Sequence, residues 1–169
     1  LINYNKRQVL ECKYSEIENV CGNDLYVVRE NGNLEVVNSS GEVLISSGID
    51  EVTSIDNSNI TFVRSGKYGV MSSDGTVLIE PTYDELTYAF DGNYIAKNGE
   101  NYGIINTSNE MRLDFTYKYI SYMRDENFIE ADRTDGQTDL LDTTFTVKVT
   151  GIVSEINTDK GYVKVRVDN

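Results

Sequence analysis

The sequence predicts an all-β tandem repeat of about five four-stranded units, each 33–35 residues long. Three observations predict it. Short motifs recur in step along the whole chain. Two-residue turn signals separate short β-branched and aromatic runs. No segment carries apolar residues at i, i+3, i+4 and i+7 between helix caps, so no helix is expected.

The recurrence runs in three columns. The first is Gly32-Asn33-Leu34-Glu35-Val36, Gly66-Lys67-Tyr68-Gly69-Val70, Gly99-Glu100-Asn101-Tyr102-Gly103 and the divergent Gly136-Gln137-Thr138-Asp139-Leu140. The second is Tyr14-Ser15-Glu16-Ile17, Ile49-Asp50-Glu51-Val52, Tyr83-Asp84-Glu85-Leu86, Tyr117-Lys118-Tyr119-Ile120 and Val153-Ser154-Glu155-Ile156. The third is Tyr26-Val27-Val28, Thr61-Phe62-Val63, Tyr94-Ile95-Ala96, Phe128-Ile129-Glu130 and Tyr162-Val163-Lys164.

Within residues 77–110, Val77-Leu78-Ile79-Glu80 is an apolar run that Pro81 should end, because proline brings no donor to a sheet ladder. Asp84 to Phe90 reads as a second strand, Asn93 to Lys97 as a third and Tyr102 to Asn106 as a fourth. Asp91-Gly92 and Asn98-Gly99 are turn dipeptides that tolerate positive φ, and Ser40-Gly41, Asp74-Gly75 and Asp135-Gly136 serve the other copies. Units counted from the first strand span 9–42, 43–76, 77–110, 111–145 and 146–169. The fifth lacks its last strand, and residues 1–8 carry one. The expectation is therefore a single domain over 1–169, a five-bladed propeller closed by its termini, with Leu1 and Ile2 beside Tyr162 to Val167. An open β-solenoid is the alternative.

A chain of 169 residues buries roughly 70% of the surface it exposes when unfolded, so it needs no metal or disulfide to fold. The chain carries no apolar run of membrane-spanning length. It begins at Leu1 rather than Met, as expected of a trimmed product whose anchor or address lies upstream. The net charge of −13, with basic residues scattered singly, disfavours nucleic acid and anionic membrane as partners. It leaves a basic protein partner or divalent cations, or simply a solvated, self-repelling surface. Cys12 and Cys21 read as small, buried apolar side chains or as one short disulfide loop. The chain contains no histidine, which removes serine and cysteine triads and histidine-ligated zinc. Asp56-Asn57-Ser58-Asn59 lacks the glycine and distal glutamate of a calcium loop and reads as a polar turn.

Gly66-Lys67-Tyr68-Gly69-Val70, then Asp74-Gly75, then Ile79-Glu80-Pro81-Thr82-Tyr83-Asp84-Glu85-Leu86 resembles the bacterial WG repeat, also called the KWG repeat. Tyr68 and Tyr102 stand where that pattern has tryptophan. The resemblance implies a β-repeat, frequent in bacterial surface and envelope proteins, with no general catalytic residue.

Two groups of side chains are candidates for chemistry. Glu16, Glu51, Glu85 and Glu155 recur at one slot, and a catalytic acid needs a singular environment. They read as scaffold, each bonded to the backbone of a neighbouring strand. Phe115, Tyr117 and Tyr119 alternate, so they could form one aromatic face, with Tyr122 nearby. Tyr117 is the better fit to the core slot of Tyr14 and Tyr83. No catalytic, cofactor or metal residue is assigned. The expected function is a non-catalytic, monomeric module for binding or display, outside the cell or on the envelope of a bacterium, presenting a rigid surface to a protein partner or cell-surface polymer. The alternatives are a carbohydrate-binding module using tyrosine faces and a glycosidase-like propeller.

Overall fold

The computed structural model describes residues 5, 8, 10, 12–19, 25–46, 48–56, 59–159 and 162–168. Among them are sixteen strands and no helix, and the strands pair antiparallel with their neighbours in sequence. The chain divides into two compact halves, 1–82 and 83–169.

The first half holds two four-stranded sheets. One runs β1 (Glu16–Asn19), β2 (Leu25–Glu30), β3 (Asn33–Asn38) and β4 (Val43–Ser46) in chain order. The other runs β5 (Glu51–Asp56), β6 (Asn59–Arg64), β7 (Lys67–Ser72) and β8 (Val77–Tyr83). Inward-facing aliphatics of both sheets, with Phe62 and Met71, form one core. In the second half one eight-stranded sheet runs from β9 (Glu85–Phe90), β10 (Asn93–Asn98) and β11 (Asn101–Asn106) through β12 (Met111–Met123). It continues through β13 (Phe128–Arg133), β14 (Thr138–Asp142) and β15 (Val147–Asp159) to β16 (Tyr162–Asp168). Its core includes Phe90, Ile104, Tyr117, Ile120, Ile129 and Leu141.

The four-stranded grouping differs in phase from the units read off the sequence. Val77 to Glu80, taken as the first strand of unit 77–110, is the last strand of the preceding sheet. A meander of hairpins looks the same from any starting strand, so only the hydrogen bonds set the frame. Pro81 also fails to end its strand, since β8 continues to Tyr83. β8 is an edge strand, where a missing donor costs no ladder bond. The same frame makes β12 and β15, each of 13 residues, serve two sets of strands. The first part of β12 pairs with β11 and the last part with β13.

The glycine of the aromatic–glycine pair has a steric cause. A Cβ on Gly69 would meet Ile79 O at 2.7 Å and Pro81 N at 2.9 Å, and one on Gly103 would meet Leu113 O at 2.8 Å and the Phe115 ring at 2.9 Å. The facing strand crosses directly over the glycine. Where the column carries a side chain, the facing residue is small. Glu35 faces Ser46, while Asp139 faces Thr150 next to Gly151. The carboxylate oxygen Oε2 of Glu35 is buried without a hydrogen-bond partner, which marks the cost of filling that slot.

The turns are built by side chains at repeating positions. Oδ1 of Asn38 accepts from the backbone N–H of Ser40 and Glu42, and Oδ1 of Asn106 accepts from Ser108 and Glu110. Oδ1 of Asp142 accepts from Thr144 and Thr146 in the same way. Such side-chain–backbone bonds are why Asn and Asp favour turns. Asp56 and Asn59 are the last paired residues of the β5–β6 hairpin, and Asn57 and Ser58 lie outside the described residues. So do Cys21, Leu1 and Ile2, and with them the disulfide and the closure of the ring. Cys12 is free and exposed, not the buried apolar side chain expected of it.

Candidate functional site

Glu16, Glu51 and Glu85 open their strands and Glu155 lies within β15, and the structure gives three of the four a different role from the one expected. Glu16, Glu85 and Glu155 bond to cations across the strand pair rather than to backbone, while Glu51 faces Val63. Glu16 pairs with Arg29 at 3.1 Å, Glu85 with Lys97 at 2.8 Å and Glu155 with Arg166 at 3.5 Å. Each pair is directly opposite in register, the arrangement in which unlike charges attract across a sheet. The backbone-binding role belongs to the preceding aspartate. Asp50 Oδ2 accepts from Ser65 N at 2.6 Å, and Asp84 Oδ2 accepts from Gly99 N at 2.7 Å.

Tyr119 occupies the glutamate slot in the fourth copy, and there the pattern breaks. A register shift between β12 and β13 leaves Lys118 as an extra residue, which re-aims the chain on either side. Consequently Phe115, Tyr117 and Tyr119 do not form one face. Phe115 stacks on Tyr83 with ring centroids 5.8 Å apart. Tyr117 is buried, as the core reading expected. Tyr119 is 49% exposed and meets Tyr102 edge-on at 6.3 Å.

Tyr119 forms one wall of a groove of about 310 Å³. β9 supplies Glu85, Thr87 and Tyr88. Tyr102 comes from β11, Tyr119, Ser121 and Tyr122 come from the second half of β12, and Arg124, just past the end of β12, lines it too. Glu85 anchors the other wall. Its Oε1 accepts from Lys97 Nζ at 2.8 Å and its Oε2 from the Tyr102 hydroxyl at 2.9 Å. Lys97 lies 5.3 Å from the Tyr102 ring centroid. Tyr122 packs on Phe90 with centroids 4.6 Å apart and donates its hydroxyl to Asn127. Tyr88 and Tyr102 come from another repeat, so nothing local in the sequence joined them to Tyr119. The available signal was the column itself, in which Tyr119 replaces a charge.

A second cluster lies in the core of the same half. Asp139, 3% exposed, accepts from the Tyr117 hydroxyl at 3.1 Å and from Thr150 Oγ1 at 2.6 Å, with Arg133 3.7 Å away. Burial, then the Asp139 charge, pushes the Tyr117 phenol up to about 12. This cluster fills a slot that glycine holds in the middle copies, and its groups satisfy one another.

Hydrogen bonding sets the acid response of the fold. The Ser72 hydroxyl and then Thr76 hold Asp74 down to about 2. Lys148 and then Thr144 hold Asp142 well below the usual range. Lys97 and then Tyr102 lower Glu85. A depressed carboxylate contributes stability above its unfolded value and loses it as pH falls through the folded one. Glu130 acts in the opposite sense, because burial raises it. The Gln137 backbone N–H lowers Asp135 as well. Four depressed groups against one raised group give a denaturation midpoint that should fall as pH drops from about 5 to about 2. A midpoint flat across that window would contradict these assignments.

Among the described residues no three Cys, Asp or Glu side chains converge as a metal site. A family model, described as the WG-containing repeat, matches residues 1–33, 68–101 and 102–131, more than half of the chain. No curated protein matches. Several solved structures are similar to this chain. A crystal structure of a eukaryotic initiation factor is 10% identical, with a TM-score of 0.52 over 80% of this chain and 43% of that one. Hsv2 of Kluyveromyces lactis is 6% identical, with a TM-score of 0.47 over 85% and 55%. The WD40 β-propeller domain of Doa1 is 12% identical, with a TM-score of 0.38 over 75% and 50%. This chain thus spans about half the length of the solved structures it resembles.

Proposed function

Because the chain belongs to the family of WG-containing repeat proteins, we propose that it is a non-catalytic binding module whose working surface is the tyrosine-lined groove. Its first-choice occupant is a protein partner, met at the envelope or surface of a bacterial cell. Fractionation of cells carrying the full protein tests the location, and purely cytoplasmic recovery would reject it. One observation carries the reading of the groove. At a slot where other copies put a charge-paired glutamate, this copy puts a half-exposed tyrosine against a second tyrosine. Tyrosine provides large amphipathic contact area at low entropic cost and is enriched where partners dock. Glu85 supports the non-catalytic part. Its two bonds hold it ionised, the reverse of what a proton-donating glycosidase acid requires.

The groove also favours a second reading. Thr87, Ser121 and Arg124 offer hydrogen-bonding groups around the tyrosines, an arrangement suited to a sugar ring. Peptide and glycan arrays probed with the wild-type chain and with Tyr119→Ala test both. The variant is expected to melt within a few degrees of wild type, since its ring is half in solvent, and to lose binding by about tenfold. Full binding by Tyr119→Ala would remove the groove from the account.

A further inference from the structure

Two charged side chains line the groove, Glu85 and Arg124, and only the first is matched. Glu85 is held by Lys97 and by the Tyr102 hydroxyl. Arg124 meets no carboxylate within ion-pair distance among the described residues. Asp125 and Glu126 follow it in the chain, but neither lines the groove. Burial raises the Tyr122 phenol, and of the charges that reach it Arg124 acts most strongly and lowers it, ahead of Asp91. The turn that carries Arg124 is fastened to β12, because the Tyr122 hydroxyl donates to Asn127 Oδ1 at 2.8 Å.

The groove therefore has the opposite sign to the chain around it, whose net charge is −13. A guanidinium is a planar fork that takes a carboxylate through two parallel hydrogen bonds. The field of the whole chain repels a ligand carrying many carboxylates. One fork in such surroundings selects one carboxylate on an otherwise neutral ligand.

The walls select the rest of the ligand. Tyr102 and Tyr119 stand at 70° to each other, so one offers its face where the other offers its edge. Thr87 and Ser121 bring hydroxyls, and Glu85 brings further acceptor capacity. A sugar ring uses all of these, since its apolar face stacks on an aromatic ring while its hydroxyls donate and accept. A protein anchor draws its energy from a fully desolvated pocket, whereas Tyr119 stays half in solvent.

We propose that the groove, on the reading of it as a sugar site, takes a sugar ring bearing a single carboxylate: a uronic-acid residue flanked by neutral sugars. The carboxylate lies in the fork of Arg124, the ring stacks on Tyr119, and the hydroxyls bond to Thr87, Ser121 and Glu85.

The test titrates the full chain with oligosaccharides that each contain one uronic-acid residue, and with the same compounds after reduction of the carboxyl to the alcohol. A panel of peptides is the second arm. The acids should bind about tenfold or more tightly than their reduced counterparts, and more weakly as salt rises. Arg124→Gln, at an exposed position, should bring the two series to equal affinity, while Tyr119→Ala should weaken both. Reduced compounds bound as tightly as the acids would overturn the inference, as would a preference for acids that survives Arg124→Gln. If Tyr119→Ala still weakened those sugars, the groove would stand as a neutral-sugar site. Binding of peptides but no sugars, dependent on Tyr119, would likewise overturn the inference and keep the groove. Sugars bound equally by Tyr119→Ala, or binding of neither class, would overturn both.

Discussion

Gly69→Ala and Gly103→Ala are each expected to destabilise the protein by about 3 kcal/mol, a large effect for a single added methyl. Such a loss lowers the melting temperature of a chain this size by about 10 °C. The size follows from what the methyl meets. At Gly69 two of the three nearest atoms are backbone, Ile79 O at 2.7 Å and Pro81 N at 2.9 Å. Contacts below 3 Å require something to move, and a strand in a ladder cannot swing aside as a side-chain tip can. Gly103 faces Leu113 O at 2.8 Å together with the Phe115 ring, so it has little more latitude. Denaturant melts of the two variants give the answer. A loss under about 1 kcal/mol in both would mean that the facing strand yields and that the glycine column is not sterically enforced.

Asp139→Ala is expected to cost about 1–3 kcal/mol, the range for leaving a buried hydrogen-bonding group without its partner, since Arg133 is 43% exposed and keeps Asp135 at 3.1 Å. The substitution strips the acceptor from the Tyr117 hydroxyl and from Thr150 Oγ1 and takes the nearby carboxylate from Arg133. It also has a spectroscopic signature. The Tyr117 phenol, held up at about 12 first by burial and then by Asp139, should titrate at lower pH in the variant. The displacement is partial, because burial remains. Ultraviolet titration of the phenolate band measures it. A variant with wild-type stability and an unmoved high-pH tyrosine would show that Asp139 and Tyr117 are not coupled.

Much of this fold is legible in the sequence because its determinants are local. Turn residues such as Asn106 and Asp142 bond to backbone two and four positions on, so their spacing reports the hairpins directly. Tyr117 keeps the core position expected of its column. The phase of the four-stranded sets is not legible. Phe115-Thr116-Tyr117-Lys118 carries no turn signal, and β12 runs through it from one set into the next. The ion pairs of Glu16, Glu85 and Glu155 depend on cross-strand register, which the columns align but do not reveal. The groove escapes the sequence for a similar reason. Its walls come from different repeats, and one extra residue at Lys118 turns Tyr119 away from Phe115 and Tyr117. Alternation assigns all three to one face only when the strand is regular.

Hydrogen exchange of the bound chain tests the central claim most directly. Whichever ligand the peptide or glycan arrays yield, its addition should protect amides in two segments, 85–90 and 119–123, the strands that border the groove. The turns at 38–42 and 142–146, with their own side-chain bonds, should exchange as before. Protection at those turns, with 85–90 and 119–123 unchanged, would place binding elsewhere on the chain and contradict the account.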